Sequence, residues 1–160
     1  MKSECEVNCA VDRYADTVRR ICLLHLKNYS DTEDIFQSVF LKYMLYNGAF
    51  RDEEHEKAWI IRVTINACKD FLKSFYHKNV VFLEDTYDIE TEAYTIESDV
   101  FNEVASLPKK YKDVIYLHYY EGYTASEISE MIGKKENTVY TLLSRARLLL
   151  KEKLGGDDFE

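Results

Sequence analysis

A chain of 160 residues, 46% apolar, with one proline and five glycines, has the composition of one medium or two small folded domains rich in helix, which excludes collagen-like, turn-rich β and disordered classes. The formal net charge of −8 is unevenly placed: residues 1–79 carry 12 basic and 12 acidic side chains, residues 104–160 carry nine of each, and residues 80–103 carry eight carboxylates with no Lys or Arg. The global charge therefore excludes nothing about nucleic-acid binding by either flank.

The N-terminal stretch MKSECEVNCAVDRY has no apolar signal region, and no run in the chain approaches the length of a membrane span, so a cytoplasmic location without membrane insertion is expected. Cys5, Cys9, Cys22 and Cys68 form no CxxC pair and have no histidine at ligand spacing. Reduced thiols are expected, with Cys22 and Cys68 acting as small core residues.

Val11, Tyr14, Ala15, Val18, Cys22 and Leu26 recur at helical spacing and predict a first helix. Ser30 and Glu33 have the spacing of a capping box, which predicts the start of a second helix with Phe36, Val39, Phe40 and Tyr43 on its apolar face. Asp34 and Gln37 flank Phe40, which reads either as core or as the anchor of a docking face with a polar rim. Asn47-Gly48 ends this helix.

A long third helix is predicted from about Glu53 to His77. Ile61, Ile65, Cys68, Leu72 and Phe75 make its apolar stripe. On the far side Trp59, Arg62, Asn66, Lys69 and Lys73 share one arc. An aromatic ring, an amide and three cations in a row suit phosphate tracking and base contact. The simpler reading is a solvated charged face, with Trp59 as a core anchor.

Residues 79–103, which include VVFLEDTYDIETEAY, are acidic and lack a period, and they read as a flexible linker. Helical pattern resumes with Val100, Phe101, Val104 and Leu107, and Pro108 suits the start of a helix over Lys109–Tyr120.

The run from Gly122 to Leu150 then reads as two helices joined by a tight turn. Thr124 and Glu127 form a second capping-box pattern, Ile128, Met131 and Ile132 supply a buried stripe, and Gly133 can take the left-handed conformation at the helix end. In the second helix, from about Asn137, Val139, Leu143, Ala146 and Leu150 share one face, while Tyr140, Thr141, Ser144 and Arg145 face outward. This is the layout of a helix-turn-helix, whose outer face enters a DNA major groove. An ordinary helical hairpin has the same apolar pattern. His25, His55, His77 and His118 are scattered, and no nucleophile elbow, phosphate loop or metal triad accompanies them. No catalytic residue, cofactor or metal is expected, and an enzyme is disfavoured.

YADTVRRICLLHLKNYSDTEDIFQSVFLKY, followed by EEHEKAWIIRVTINACKDFLKS, resembles the second domain of bacterial sigma factors of the extracytoplasmic-function group in the sigma-70 family. LPKKYKDVIYLHYYEGYTASEISEMIGKKENTVYTLLSRARLLLKEKL resembles their fourth domain. The resemblance implies an all-α protein of two small helical domains, residues 1–78 and 104–154, joined by the acidic linker 79–103 and followed by a tail, 155–160. It implies a transcription initiation factor that binds RNA polymerase core and directs it to promoters. A sigma-like regulator that binds DNA or a protein without supporting initiation is the alternative.

The resemblance also implies roles. Asp34, Gln37 and Phe40 would dock on the clamp helices of the largest polymerase subunit. Trp59, Arg62, Asn66 and Lys69 would face the melted minus-ten element, and Lys73 is a further DNA-binding candidate from the same row of the helix. Thr138, Tyr140, Thr141, Ser144 and Arg145 would read the minus-thirty-five element, with Arg147 near its backbone. The flap of the second-largest subunit and an anti-sigma protein are the other implied partners. Tyr140 and Leu142 stand where the family often has Lys or Arg, and Ser38 stands where it usually has Glu.

Overall fold

The computed structural model describes residues 1–26, 28–78 and 99–154. Residues 79–98 of the predicted linker (79–103) and the tail 155–160 lie outside these residues. The chain divides into two compact units, parted between Tyr94 and Thr95. All regular structure among the described residues is helical, and no described helix is long and apolar enough to cross a membrane.

The first unit contains α1 (Glu4–Leu26), α2 (Tyr29–Leu45) and α3 (Glu53–Lys78). Ala10, Tyr14, Val18, Cys22 and Leu26 of α1 form an i, i+4 row. It meets Ile35, Val39, Phe40 and Tyr43 of α2 and Ile60, Ala67, Cys68 and Leu72 of α3 in one core, the burial pattern that three apolar stripes at helical period produce. Cys22 and Cys68 are buried free thiols with their Sγ atoms 3.9 Å apart.

Helix α2 starts earlier than the Ser30 cap predicts. Asn28 is the N-cap, and its Oδ1 accepts the Asp31 N–H at 2.9 Å. Glu33 instead pairs with Arg19 of α1, whose Nε lies 3.1 Å from its Oε2, while the guanidinium carbon sits 4.1 Å from the centroid of Phe36. The Ser30 pattern failed because an equally good cap stood two residues upstream and its partner carboxylate had a cation to bind.

The second unit contains α4 (Asp99–Ala105), α5 (Lys109–Ile115), a π-helical turn (Tyr116–Tyr120), α6 (Ala125–Ile132) and α7 (Glu136–Leu154). Helix α4 falls within the helical pattern read around Val100, Phe101 and Val104, so the helix begins at Asp99, ahead of the linker boundary drawn at residue 103. Pro108 caps α5, where its missing N–H costs nothing. The single helix expected over Lys109–Tyr120 widens at its end, with the Glu121 N–H bonding to the Tyr116 carbonyl at 3.3 Å. Phe101, Val104, Val114, Ile115, Leu117, Ile128, Val139, Leu143, Ala146 and Leu150 are buried. Met131 and Ile132, expected inside, are only half-buried.

Candidate nucleic-acid and docking interfaces

On α3, the side chains of Arg62, Asn66, Lys69 and Lys73 are all exposed. They recur at i, i+4, i+7 and i+11 and so form one outward row. The fifth predicted member, Trp59, is half-buried and turned into a group of rings, with its centroid 4.7 Å from Tyr46, 5.7 Å from Phe50 and 6.2 Å from Tyr43. Trp59 thus fits the core-anchor reading along its ring faces while its position on α3 adjoins the row. Tyr46 and Phe50 were not singled out from the sequence. The aromatic pair flanking Asn47-Gly48 is the local signal that marks them.

Near the start of α3, Glu56 is the hub of a polar cluster. Its Oε1 accepts from the Tyr14 hydroxyl at 3.0 Å and from Arg13 Nη1 at 3.2 Å, and its Oε2 accepts from the Tyr43 hydroxyl at 2.6 Å. Burial, reinforced by the Glu56 carboxylate but opposed by Arg13, pushes the Tyr14 phenol up to about 12, and burial beside Glu56 raises that of Tyr43 further. Both phenols stay protonated at neutral pH and act as fixed donors.

On α2, Asp34 and Gln37 are exposed, as the docking reading needs. Phe40 is not: it is 6% exposed and packs on Phe36 with centroids 4.9 Å apart. Of the two readings of Phe40, its burial fits the core one and not an exposed anchor, since it turns onto the flank of α2 that faces the core. The apolar residues that do share the face of Asp34 are Leu41 and Leu45, 52% and 55% exposed. Their i+7 and i+11 spacing from Asp34 could have identified them.

In the second unit, Thr124 accepts the Glu127 N–H at 3.1 Å while Glu127 accepts the Thr124 N–H at 2.9 Å, the reciprocal cap that the sequence predicted. Gly133 has φ 72° and ψ 30° and ends α6, with its N–H bonded to the Ser129 carbonyl at 3.0 Å. A side chain at that φ meets its own backbone. The turn leads directly into α7, on which Thr138, Tyr140, Thr141, Ser144 and Arg145 are exposed. The Thr141 hydroxyl donates to the Asn137 carbonyl at 3.1 Å, which leaves its lone pairs pointing outward as acceptors.

Arg147 is half-buried; its Nε donates to the Tyr119 hydroxyl and its guanidinium carbon lies 5.6 Å from that ring's centroid. Leu142 is buried, so a position where the family often has a cation faces the core in this chain. Lys134 and Lys135, exposed in the turn before α7, are further cations beside this face that lie outside any helical period.

Residues 10–75 match the family description Sigma-70 region 2, and residues 100–150 match Sigma-70, region 4. The chain is 29% identical over 156 residues to the RNA polymerase sigma factor SigV of Bacillus subtilis (strain 168), covering 95% of this chain and 92% of that one. It is 26% identical over 145 residues to the ECF RNA polymerase sigma factor SigM of Mycobacterium tuberculosis, covering 89% of this chain and 74% of that one. Among solved structures, the fold is similar to CnrH in complex with the cytosolic domain of CnrY, with TM-score 0.70, 18% identity and coverage of 98% and 92% of the two chains. It is equally similar to the sigma factor RpoE in complex with the anti-sigma factor NepR from Bartonella quintana, with TM-score 0.71, 18% identity and coverage of 95% and 98%.

Proposed function

Because the chain belongs to the sigma-70 family, in its extracytoplasmic-function group, we infer that it is a transcription initiation factor that binds RNA polymerase core and directs it to specific promoters. The observation that carries this is the presence of two distinct regions of one family, in order, each on its own compact unit. It acts by binding and leaves the chemistry of RNA synthesis to the polymerase.

Within that function the two units divide the labour. The first unit would dock on the clamp helices of the largest polymerase subunit through Asp34 and Gln37, with Leu41 and Leu45 as the apolar anchors of the face. Phe40 supports that face from beneath. The row of Arg62, Asn66, Lys69 and Lys73 would follow the melted minus-ten strand. Its cations would hold phosphates, the Asn66 amide would pair with a base edge, and Trp59 would stand beside the captured base.

The second unit would lie against the flap of the second-largest subunit and place α7 in the major groove of the minus-thirty-five element. Thr138, Tyr140, Thr141 and Ser144 offer short or planar polar groups to base edges. Arg145, Arg147, Lys134 and Lys135 would contact phosphates. Four cations are few for an independent DNA-binding unit, so the unit would bind weakly alone and gain affinity from being tethered to polymerase. An inhibitory partner of the anti-sigma kind belongs to the same reading.

Run-off transcription with purified polymerase core, with and without the chain, tests the function. Promoter-dependent transcripts only in its presence are the expected result. DNA or core binding without transcripts would favour a regulator that does not support initiation.

A further inference from the structure

The loop between α2 and α3 builds an aromatic cup that the phosphate and base contacts above do not account for. Tyr46 lies 4.7 Å from Trp59 and 5.4 Å from Phe50, centroid to centroid, and Tyr43 lies 6.2 Å from Phe50 with the two planes inclined by 2°. Gly48 makes the cup possible. A Cβ at that position would sit 2.5 Å from Cζ of Tyr46 and 2.7 Å from its Cε2, so a side chain there would drive the ring away.

The cup is occupied. Lys2 Nζ lies 5.2 Å from the centroids of both Tyr43 and Phe50 and 5.6 Å from that of Tyr46. These are cation–π distances to three rings at once. The Lys2 N–H also donates to the Met44 carbonyl at 2.8 Å, which ties the segment before α1 to the last turn of α2.

We propose that Lys2 is a gate on this cup, and that the segment carrying it must leave before an unstacked base can stack on Tyr46, Phe50 and Trp59. The inference rests on the reading of this face of the first unit as the minus-ten surface. A nucleobase and an ammonium use the same ring faces, because both are attracted to the π density. They therefore compete for one volume. Closure lowers the apparent affinity only for a strand that places a base in the cup, by the fraction of molecules with the gate open. A base that stacks strongly overcomes that handicap, whereas a strand held by phosphate contacts alone gains nothing from opening the cup.

The sign of the effect separates a gate from a contact. Loss of a lysine that touches phosphate weakens single-strand binding, whereas loss of a gate strengthens it. Trp59 is the only tryptophan in the chain and lies 4.7 Å from Tyr46 and 5.7 Å from Phe50, so its emission reports on the rings that Lys2 covers. The experiment compares the full chain with Lys2→Ala and Lys2→Arg. It measures acrylamide quenching of Trp59 without DNA, then titrates a short oligodeoxyadenylate and an abasic strand of equal length.

The gate predicts that Lys2→Ala raises quenching and binds oligodeoxyadenylate roughly three- to tenfold more tightly, while the abasic strand binds no better. Lys2→Arg, which keeps the cation, should behave as the unaltered chain. Weaker binding of both strands by Lys2→Ala would overturn the gate and make Lys2 a phosphate contact. Unchanged quenching and affinity would overturn it by showing that Lys2 does not cover the cup. A Trp59 response to oligodeoxyadenylate with equal affinity in all three proteins removes the gate alone. No response of Trp59 in any of them removes the base-capture reading, and the gate with it.

Discussion

Replacing Glu56 by Ala is expected to be the most damaging single polar change in the first unit. The carboxylate is 13% exposed and accepts two phenolic hydroxyls, at 3.0 Å from Tyr14 and 2.6 Å from Tyr43, besides Arg13. Those tyrosines are 3% and 4% exposed. Tyr14 keeps Arg13 and a long bond to the Glu53 carbonyl, at 3.4 Å. A hydrogen bond to a charged acceptor contributes about 1.5–3 kcal/mol, and leaving its donor buried costs a similar amount. The Arg13 side chain is 44% exposed, so that ion pair adds little. Glu56→Ala should therefore destabilise the unit by about 3–4 kcal/mol. Glu56→Gln, which keeps one carbonyl acceptor, should cost about half of that. Urea denaturation at neutral pH followed by Trp59 emission measures both, because Trp59 lies in the same unit as Glu56. A loss below about 1 kcal/mol for Glu56→Ala, or equal losses for the two variants, would refute the assignment of this stability to the phenol–carboxylate bonds.

The same phenols set a pH dependence. Their folded values lie above the usual 10.0 of tyrosine, so the folded state holds these protons longer, and their contribution is fully present below pH 10 and lost as pH rises toward 12. Urea midpoints should be level to about pH 9.5 and then fall, and Tyr14→Phe should make the fall shallower. Gly133→Ala should lower the stability of the second unit by about 1 kcal/mol through its left-handed φ, measured by calorimetry, since no neighbour within 4 Å would be struck. On promoter templates with single-base changes, Asn66→Ala should alter preference in the minus-ten element and Ser144→Ala in the minus-thirty-five element; the reverse pattern would show the surfaces misassigned. Changing Leu41 and Leu45 to Ser should weaken binding to polymerase core at least tenfold without loss of helix content by circular dichroism.

Most of the fold could be read from the sequence where the signal is local. The Thr124–Glu127 cap, the Gly133 stop and the stripe of α3 each depend on spacing within one helix, and all three stand where the sequence puts them. Reading was weaker where two local signals compete. Asn28 and Ser30 both offer a cap, and the one whose partner carboxylate was not drawn to Arg19 holds the helix start. Phe40 is apolar and adjoins the exposed polar residues Asp34 and Gln37, yet its angle on α2 sends it inward. Contacts distant in sequence left no trace in the pattern. Nothing about Lys2 announces that it will lie over rings more than forty residues away, and Glu56 reads as an ordinary acidic residue in a helix start. The π-helical turn was equally hidden, because Tyr116, Tyr119 and Tyr120 satisfy an α-helical period as well as a wider one.

That turn has a bearing on chain length. An α turn closes its bond over four residues, and the Tyr116–Tyr120 segment closes over five, between the Glu121 N–H and the Tyr116 carbonyl. It holds one residue of slack. Deleting a single residue there lets the backbone settle into an α turn with both flanking segments still in phase, whereas the same deletion inside α7 rotates everything beyond it by about 100°. Relatives are thus expected to tolerate a one-residue gap immediately before the helix-turn-helix and nowhere within its second helix.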